Sequence, residues 1–412
     1  MRTLMSFAAL FLSVALVQLG SGVLGPLDAL AGRALMFTSA EIGFLGSAHF
    51  LGFFIGCWAT PRLMGGVGHS RAFAALAAIG AISALLHPVL EHPIAWAVLR
   101  VGSGVAVAGA YTVVESWMQA KVTNESRGRV LGIYRIVDMT AAIGAQGLVA
   151  VLDPSSYIAY NIIAMICCLC VLPLTLTTTK PPPAPATPRL GPLRVMMLSP
   201  FAATTVITTG LTNSSFRMVG PLYALDSGLK VAEVALFMAA GIAGGAMAQW
   251  PAGWLSDKFN RRWVVISLSA GAIFVSTAII AAGDAVTGSL AYVAIFAFGA
   301  VALPMFSIAV AHAKFSIAVA HANDFAKPEE IVELNAALMF LYAVGAIVSP
   351  LVAATLIEVH GASSLFIYIA AAHVILILFS LWRMTRRAIS TTKTAHVYVP
   401  RTTFTTARFF RS

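Results

Sequence analysis

The chain has 412 residues, of which 59% are hydrophobic and only 10% charged. A soluble domain carries about 25% charged residues, so a water-exposed enzyme is excluded, and the same figures exclude intrinsic disorder. The net charge of +10 comes from 26 Lys+Arg against 16 Asp+Glu. Those basic residues sit between apolar runs, which points to orientation in a membrane rather than to nucleic acid.

In chain order, apolar runs recur at about the 20 residues that cross a bilayer. They are continuous rather than alternating, which predicts helices and not a β-barrel. The first run follows Met1-Arg2 as a signal peptide would, but it continues to about Gly25 with no A-x-A site and reads as a span. Six spans are predicted at 4–25, 42–60, 72–90, 95–118, 130–152 and 157–177. A break holding Pro181, Pro182, Pro183, Pro185 and Pro188 follows, and proline excludes a buried helix there. Six more spans are predicted at 201–224, 232–254, 263–283, 288–312, 332–357 and 364–382. The domain reading is a six-helix bundle over 1–177, a cytoplasmic Pro-rich linker over 178–200, a second bundle over 201–382 and a basic tail over 383–412.

Charge sets the expected topology. With the N-terminus inside, fourteen Lys and Arg fall in inside segments and seven in the tail, against Arg33 and Lys230 outside. That asymmetry predicts both termini in the cytoplasm and an even number of spans. The tail reads either as lying along anionic lipid or as without a role.

Two repeats stand out. Trp58 with Arg62 ends the second span, and Trp254 with Lys258 ends the eighth, so each Trp is followed four positions later by a cation. Repeated halves are a mark of transporter folds. Separately, Phe306–Lys314 and Phe315–Asn323 match at eight of nine positions. This tandem duplication of FSIAVAHA adds about 13 Å if helical; no function is assigned to it, and the sequence does not say whether it leaves the protein active. Cys57, Cys167, Cys168 and Cys170 all lie in apolar runs and read as buried thiols, not as a disulfide framework or zinc site.

The stretch Gly253-x-Leu255-Ser256-Asp257-Lys258-Phe259-Asn260-Arg261-Arg262 resembles the loop signature of the major facilitator superfamily. Arg100-x-x-x-Gly104-x-x-x-Ala108 resembles that superfamily's fourth-helix motif, and Arg127-Gly128-Arg129 also fits. The likeness covers the whole chain through its six-plus-six layout, and within the superfamily it is to bacterial inner-membrane carriers of unassigned substrate. One departure is Pro61, where the first-half loop pattern wants an acid. The resemblance implies an all-α membrane protein with twelve helices in two six-helix bundles. It also implies a cavity lined by spans one, four, seven and ten.

The candidate sites follow. Gly253 and Ser256 supply small residues for a tight turn, and Asp257 is placed to accept from a helix N-terminus. Arg261 and Arg262 lie within reach of Asp324, Glu329, Glu330 and Glu333, and with Lys258 of the same motif they form a cytoplasmic gate that makes and breaks as the halves rock. The alternative is a turn whose charges are merely solvated. Glu115 and Arg135 lie ten residues either side of the loop near Glu125, so a hairpin pairs them, with Asp138 one turn beyond. With Arg100 they form the proton-coupling candidate; a static ion pair is the competing reading. Arg100 and Arg217 enter the cavity from opposite halves and are suited to an anionic group, with Asp28 as compensating acid. Against this stands Arg217 snorkelling to the outer interface. Gln18, Asn213, Gln249 and Trp250 are further cavity contacts or ordinary interhelical bonds. Glycines in spans four and eight, Gly102, Gly104, Gly241 and Gly244 among them, predict close helix packing. His49, His312, His321 and His373 have no metal-ligand spacing, and no Walker loop, GxSxG or HExxH occurs, so neither an enzyme nor a cofactor is expected.

The expectation is a secondary active transporter of a small organic solute, coupled to protons through its in-span carboxylates. It is expected to act by alternating access in the inner membrane as a monomer that binds no nucleic acid. The rival readings are an uncoupled facilitator and a non-transporting membrane subunit or sensor.

Overall fold

A computed structural model describes residues 7–123, 126–177, 192–283, 288–320 and 328–385. Most of the Pro-rich linker, Asp324 and nearly all of the basic tail lie outside the described residues, as does the side chain of Glu330. The described chain is helical throughout. The first half is built from α1 (Ala8–Ala34), α2 (Ser39–Val67), α3 (His69–Leu86), α4 (Pro93–Lys121), α5 (Arg127–Val151) and α6 (Tyr157–Leu169), the last continued by α7 (Val171–Thr175). A short helix, α8 (Pro192–Leu198), stands within the predicted linker. The second half comprises α9 (Pro200–Asp226), α10 (Val231–Lys258), α11 (Arg261–Ala282), α12 (Gly288–Ala302), α13 (Met305–Ala320), α14 (Pro328–His360) and α15 (Ser364–Thr385). With α6–α7 and α12–α13 each counted as one broken span, these are twelve spans in two six-helix bundles. Among the described residues, ten helices are long and apolar enough to cross a membrane. The other two spans, α5 and α9, are the more polar, as suits helices sheltered from lipid.

The halves repeat each other. In the first, α2 packs on α4, α1 on α5, and α3 on α4 and α6. In the second, α10 packs on α12, α9 on α14, and α11 on α12 and α15. Each pairing is the other displaced by six spans. Between halves, α14 packs on α2 and α10 on α5, a pair of contacts that the same twofold exchanges. The Trp repeat has a physical basis: the Arg62 guanidinium lies 4.1 Å from the Trp58 ring centre, and Lys258 Nζ 4.1 Å from that of Trp254. A cation four residues after a Trp lies on the same helix face and can cover its ring. The other ends of α2 and α10 also match. Glu41 accepts from the Thr38 N–H and Glu233 from the Lys230 N–H, both at 2.8 Å.

The sequence stops the first span at about Gly25, whereas α1 runs to Ala34 through Pro26. Proline removes the N–H that would bond the carbonyl four residues back. Here that acceptor is Gly22, and the Gln146 amide of α5 donates to it at 3.3 Å. A neighbouring helix thus satisfies the freed carbonyl, the condition under which proline is tolerated inside a membrane. The predicted tight turn at Gly253 and Ser256 is also corrected. Both lie inside α10, which ends at Lys258, and a Cβ on Gly253 would meet open space. The glycines of spans two, four, eight and ten do permit close approach. A Cβ on Gly104 would collide with the His49 carbonyl, and one on Gly299 with that of Gly241.

Candidate functional site

The two ends of the molecule differ. The linker end carries residues 7, 123, 126, 177, 192 and 385. The far end carries the turns at 35–38, 87–92, 152–156, 227–230 and 361–363. At the far end one buried apolar cluster runs through both halves, joining Leu27, Trp96 and Tyr160 to Phe216, Tyr223 and Phe366. At the linker end each half has its own: Phe73, Val113 and Trp117 belong to the first, and Val206 and Leu338 or Val265 and Ile308 to the second. Side-chain bonds between halves follow the same division. Arg33 Nη2 meets Asp226 at 2.5 Å, Glu358 accepts from the Ala40 N–H at 2.8 Å, and Ser47 Oγ accepts from the Leu351 N–H at 3.2 Å. Arg100 Nη2 points at Met218 Sδ, 3.5 Å away. Among the described residues all of these lie within about nine residues of the far end, roughly 14 Å by helical rise.

Just beneath that closure is a buried polar knot. Arg100 Nε is 3.5 Å from Asp28 Oδ2, His87 Nε2 is 3.3 Å from the same oxygen, and the Tyr160 hydroxyl donates to Asp28 Oδ1 at 3.1 Å. His87 Nδ1 lies 2.6 Å from the Ser83 carbonyl, an acceptor only, so Nδ1 carries a proton. Nε2, Arg100 Nε and Asp28 Oδ2 are all buried and none makes an aligned hydrogen bond. Arg100 therefore sits with Asp28, not with Glu115, Arg135 and Asp138 as the sequence grouped it. His87, Tyr160 and Met218 were missed. Counting residues from the nearest helix end places only Met218, eight before Asp226, at the depth of Arg100, seven after Pro93; His87 and Tyr160 lie at span ends.

The second group lies between the halves, toward the linker end. Tyr111 on α4 donates to Asp138 Oδ1 at 2.6 Å and lies 2.5 Å from Gln18 Oε1. One hydroxyl proton cannot serve two acceptors. The arrangement closes if the Gln18 amide is turned to present N–H, or if Asp138 is protonated. Glu115 Oε1 accepts from the Tyr134 hydroxyl at 2.7 Å, while Arg135 Nη1 lies 3.4 Å from Asp138 Oδ2. The Glu115–Arg135 pair is thus corrected to Glu115–Tyr134 and Arg135–Asp138. A single helical step turns a side chain by about 100°, so Tyr134 points inward toward α4 and Arg135 does not; it is 54% exposed.

On α9 the hydroxyls of Thr204, Thr205, Thr209, Thr212, Ser214 and Ser215 all donate to carbonyls of their own helix. They are self-satisfied and offer little to a ligand. Asn213 and Arg217, one turn apart, do not fold back. Asn213 Oδ1 is buried with no hydrogen-bond partner. Arg217 is exposed in mid-span, close enough for its charge to act on His49, Tyr111 and Tyr342. It thus faces the space between halves rather than the outer interface. Gln249 takes part in an interhelical contact, accepting from Ser307 Oγ at 3.4 Å, and Trp250 is exposed.

At the gate, Asp257 is 77% exposed and its oxygen lies 3.8 Å from Arg261 Nη2. The next helix is capped by Asn260, which accepts from the Arg262 N–H, so the helix-terminus role given to Asp257 passes to Asn260. Arg261 also donates to the Ala311 carbonyl at 3.1 Å, and Arg262 lies 5.9 Å from the Phe201 ring centre. The acids expected opposite them lie outside the described side chains.

Two like bundles, a polar space between them and closure at one end define a membrane transporter. A sequence profile for the Major Facilitator Superfamily matches residues 10–314, and the chain belongs to that family. The uncharacterized MFS-type transporter YcaD of Salmonella newport (strain SL254) is 25% identical over 343 residues, which cover 83% of this chain and 86% of the relative. YcaD of Salmonella heidelberg (strain SL476) is 25% identical over 346 residues. Among solved structures, the nucleoside transporter NupG superposes with TM-score 0.70 at 18% identity, covering 94% of this chain and 99% of that one. The D-xylose-proton symporter gives 0.68 at 12% identity, covering 91% and 96%. At these identities the structures share the fold with this chain.

Proposed function

We propose that this transporter is a secondary active carrier of a small organic solute in the bacterial inner membrane. It works by alternating access with both termini cytoplasmic. The observation that carries the reading is the apolar core, continuous across both halves at the far end and divided at the linker end. A cavity closed on one side and open on the other is one of the two states such a cycle requires. The excess of Lys and Arg at the linker end supports reading the open side as cytoplasmic and the state as inward-open. Both walls of the cavity come from one chain, so a monomer suffices. The solutes named for the structural neighbours, nucleosides and D-xylose, are of the size expected.

Proton coupling is assigned to Glu115 and Asp138 beside the cavity, with the Asp28–His87 pair as a second proton site under the far-end closure. Each carboxylate has a tyrosine or arginine partner whose movement would change its hold on a proton. The test is solute uptake into liposomes holding the purified chain, with and without an imposed pH gradient. Coupling predicts uptake that collapses with an uncoupler, and a pH dependence altered in Glu115→Gln. Uptake indifferent to the uncoupler supports instead the uncoupled facilitator, which the Arg135–Asp138 pair favours because that acid is already compensated. No uptake of any solute by the chain alone would sink the carrier reading.

A further inference from the structure

We propose that the solute is amphoteric: a cationic head received by Glu115 and an anionic group received by Arg217 with Asn213. The proposal rests on the carrier reading and names the substrate class of the same cavity.

Among the described residues, four charges face the space between the halves on the linker side of the Asp28–Arg100 pair. Arg135 and Asp138 compensate each other at 3.4 Å. Glu115 and Arg217 remain. Glu115 receives the Tyr134 hydroxyl on Oε1, and its Oε2 makes no hydrogen bond among the described residues. Arg217 has no ion pair or hydrogen bond among them. An unpaired charge at membrane depth is costly and marks a polar cavity. One turn before Arg217, Asn213 is 8% exposed with its Oδ1 unpartnered. That orphaned amide lies on the arginine's own helix face, and turned over it presents N–H groups to an anion held there. Six neighbouring hydroxyls on the same helix are spent on backbone carbonyls, so the two groups left available are selective rather than part of a generally polar wall.

The two free charges are of opposite sign and stand on opposite halves, α4 and α9. A purely anionic solute meets Arg217 but leaves Glu115 uncompensated and repelling. A cationic one does the reverse, and a neutral one leaves both charges desolvated as the cavity closes. An amphoteric solute satisfies both at once, and its bridging favours the state in which the halves close over it.

The probes are ω-amino acids from glycine to 6-aminohexanoate, matched n-alkanoates and n-alkylamines, and uridine and D-xylose as neutral solutes. They are applied to the purified full chain in thermal-shift assays and in liposome counterflow. The expected result is an optimum chain length among the ω-amino acids, with the matched singly charged compounds at least tenfold weaker. Arg217→Gln should reduce the preferred ω-amino acid to the level of its alkylamine, Glu115→Gln to the level of its alkanoate, and Arg217→Lys should retain part of the response. Equal or better binding of a singly charged or neutral probe, no response to any ω-amino acid, or a response surviving both Gln variants overturns the proposal. Movement of uridine or xylose without an amphoteric response defeats the substrate class and keeps the carrier. A thermal shift with the ω-amino acids but no movement of any probe defeats the carrier and keeps the class.

Discussion

Gln146 shows how one side chain lets a proline sit in the middle of a span. Pro26 leaves the Gly22 carbonyl without its intrahelical partner, and the Gln146 amide supplies one at 3.3 Å. Gln146→Leu should therefore destabilise the protein by about 1 kcal/mol, the size of a single net hydrogen bond. In a Pro26→Ala background, where the backbone N–H returns, the same substitution should cost much less. Thermal unfolding of the four proteins in detergent measures the coupling, and equal costs in both backgrounds would refute the account. Asp28 carries a larger effect, since it compensates Arg100, whose side chain is 2% exposed. Asp28→Asn leaves a buried cation unpaired, at a cost of about 3–5 kcal/mol. Adding Arg100→Met should recover much of that loss; unfolding of the single and double variants decides it. The sequence offered both charges of this pair because ionisable residues in apolar runs are conspicuous. It did not offer His87 or Tyr160, which sit at the ends of spans where polar residues are ordinary.

Helix boundaries were legible wherever hydropathy and bilayer thickness agreed, since a span longer than the hydrocarbon is still apolar at its centre. They were least legible at helix ends that continue into water. There α1 extends through Pro26, and α10 carries the loop signature inside its last turns. Partner choice was harder still. The Glu115–Arg135 expectation assumed that consecutive spans form a hairpin with matched faces, whereas α4 packs on α2 and α5 on α1. The far-end latch was invisible for the same reason: Arg33 and Asp226 are 193 residues apart. This pair is partly exposed, so its worth is at most about 1 kcal/mol, and its effect belongs to the balance between states rather than to folding. Arg33→Glu places like charges together and should shift the population toward far-end opening by up to about fivefold. The charge swap Arg33→Asp with Asp226→Arg should restore it. Distances between spin labels on the ends of α1 and α9 give the readout, and a distribution unchanged by Arg33→Glu would refute the latch.

On the alternating-access reading proposed above, the division of the core is what would give the whole molecule two states. A packed interface is either made or broken; it does not stretch, because dispersion and burial are lost within about an ångström of separation. With one cluster spanning both halves at the far end and separate clusters at the linker end, the bundles can pivot only by exchanging one closure for the other. The α2–α14 and α5–α10 contacts, related by the twofold, are the seams along which that exchange runs. Holding the far-end seam shut should arrest transport without damaging the bundles. Ala40 and Glu358, joined at 2.8 Å across that seam, are the positions to hold. In a background with the four native cysteines replaced, Ala40→Cys with Glu358→Cys joined by a short thiol-specific bridging reagent should abolish counterflow. Reduction of a cleavable bridge should restore it. In the bridged protein a reporter at Glu115 should stay accessible from the linker end, because that side is already open. Full counterflow through the bridged protein, or a reporter that becomes buried on bridging, would show that the halves do not rock about this seam.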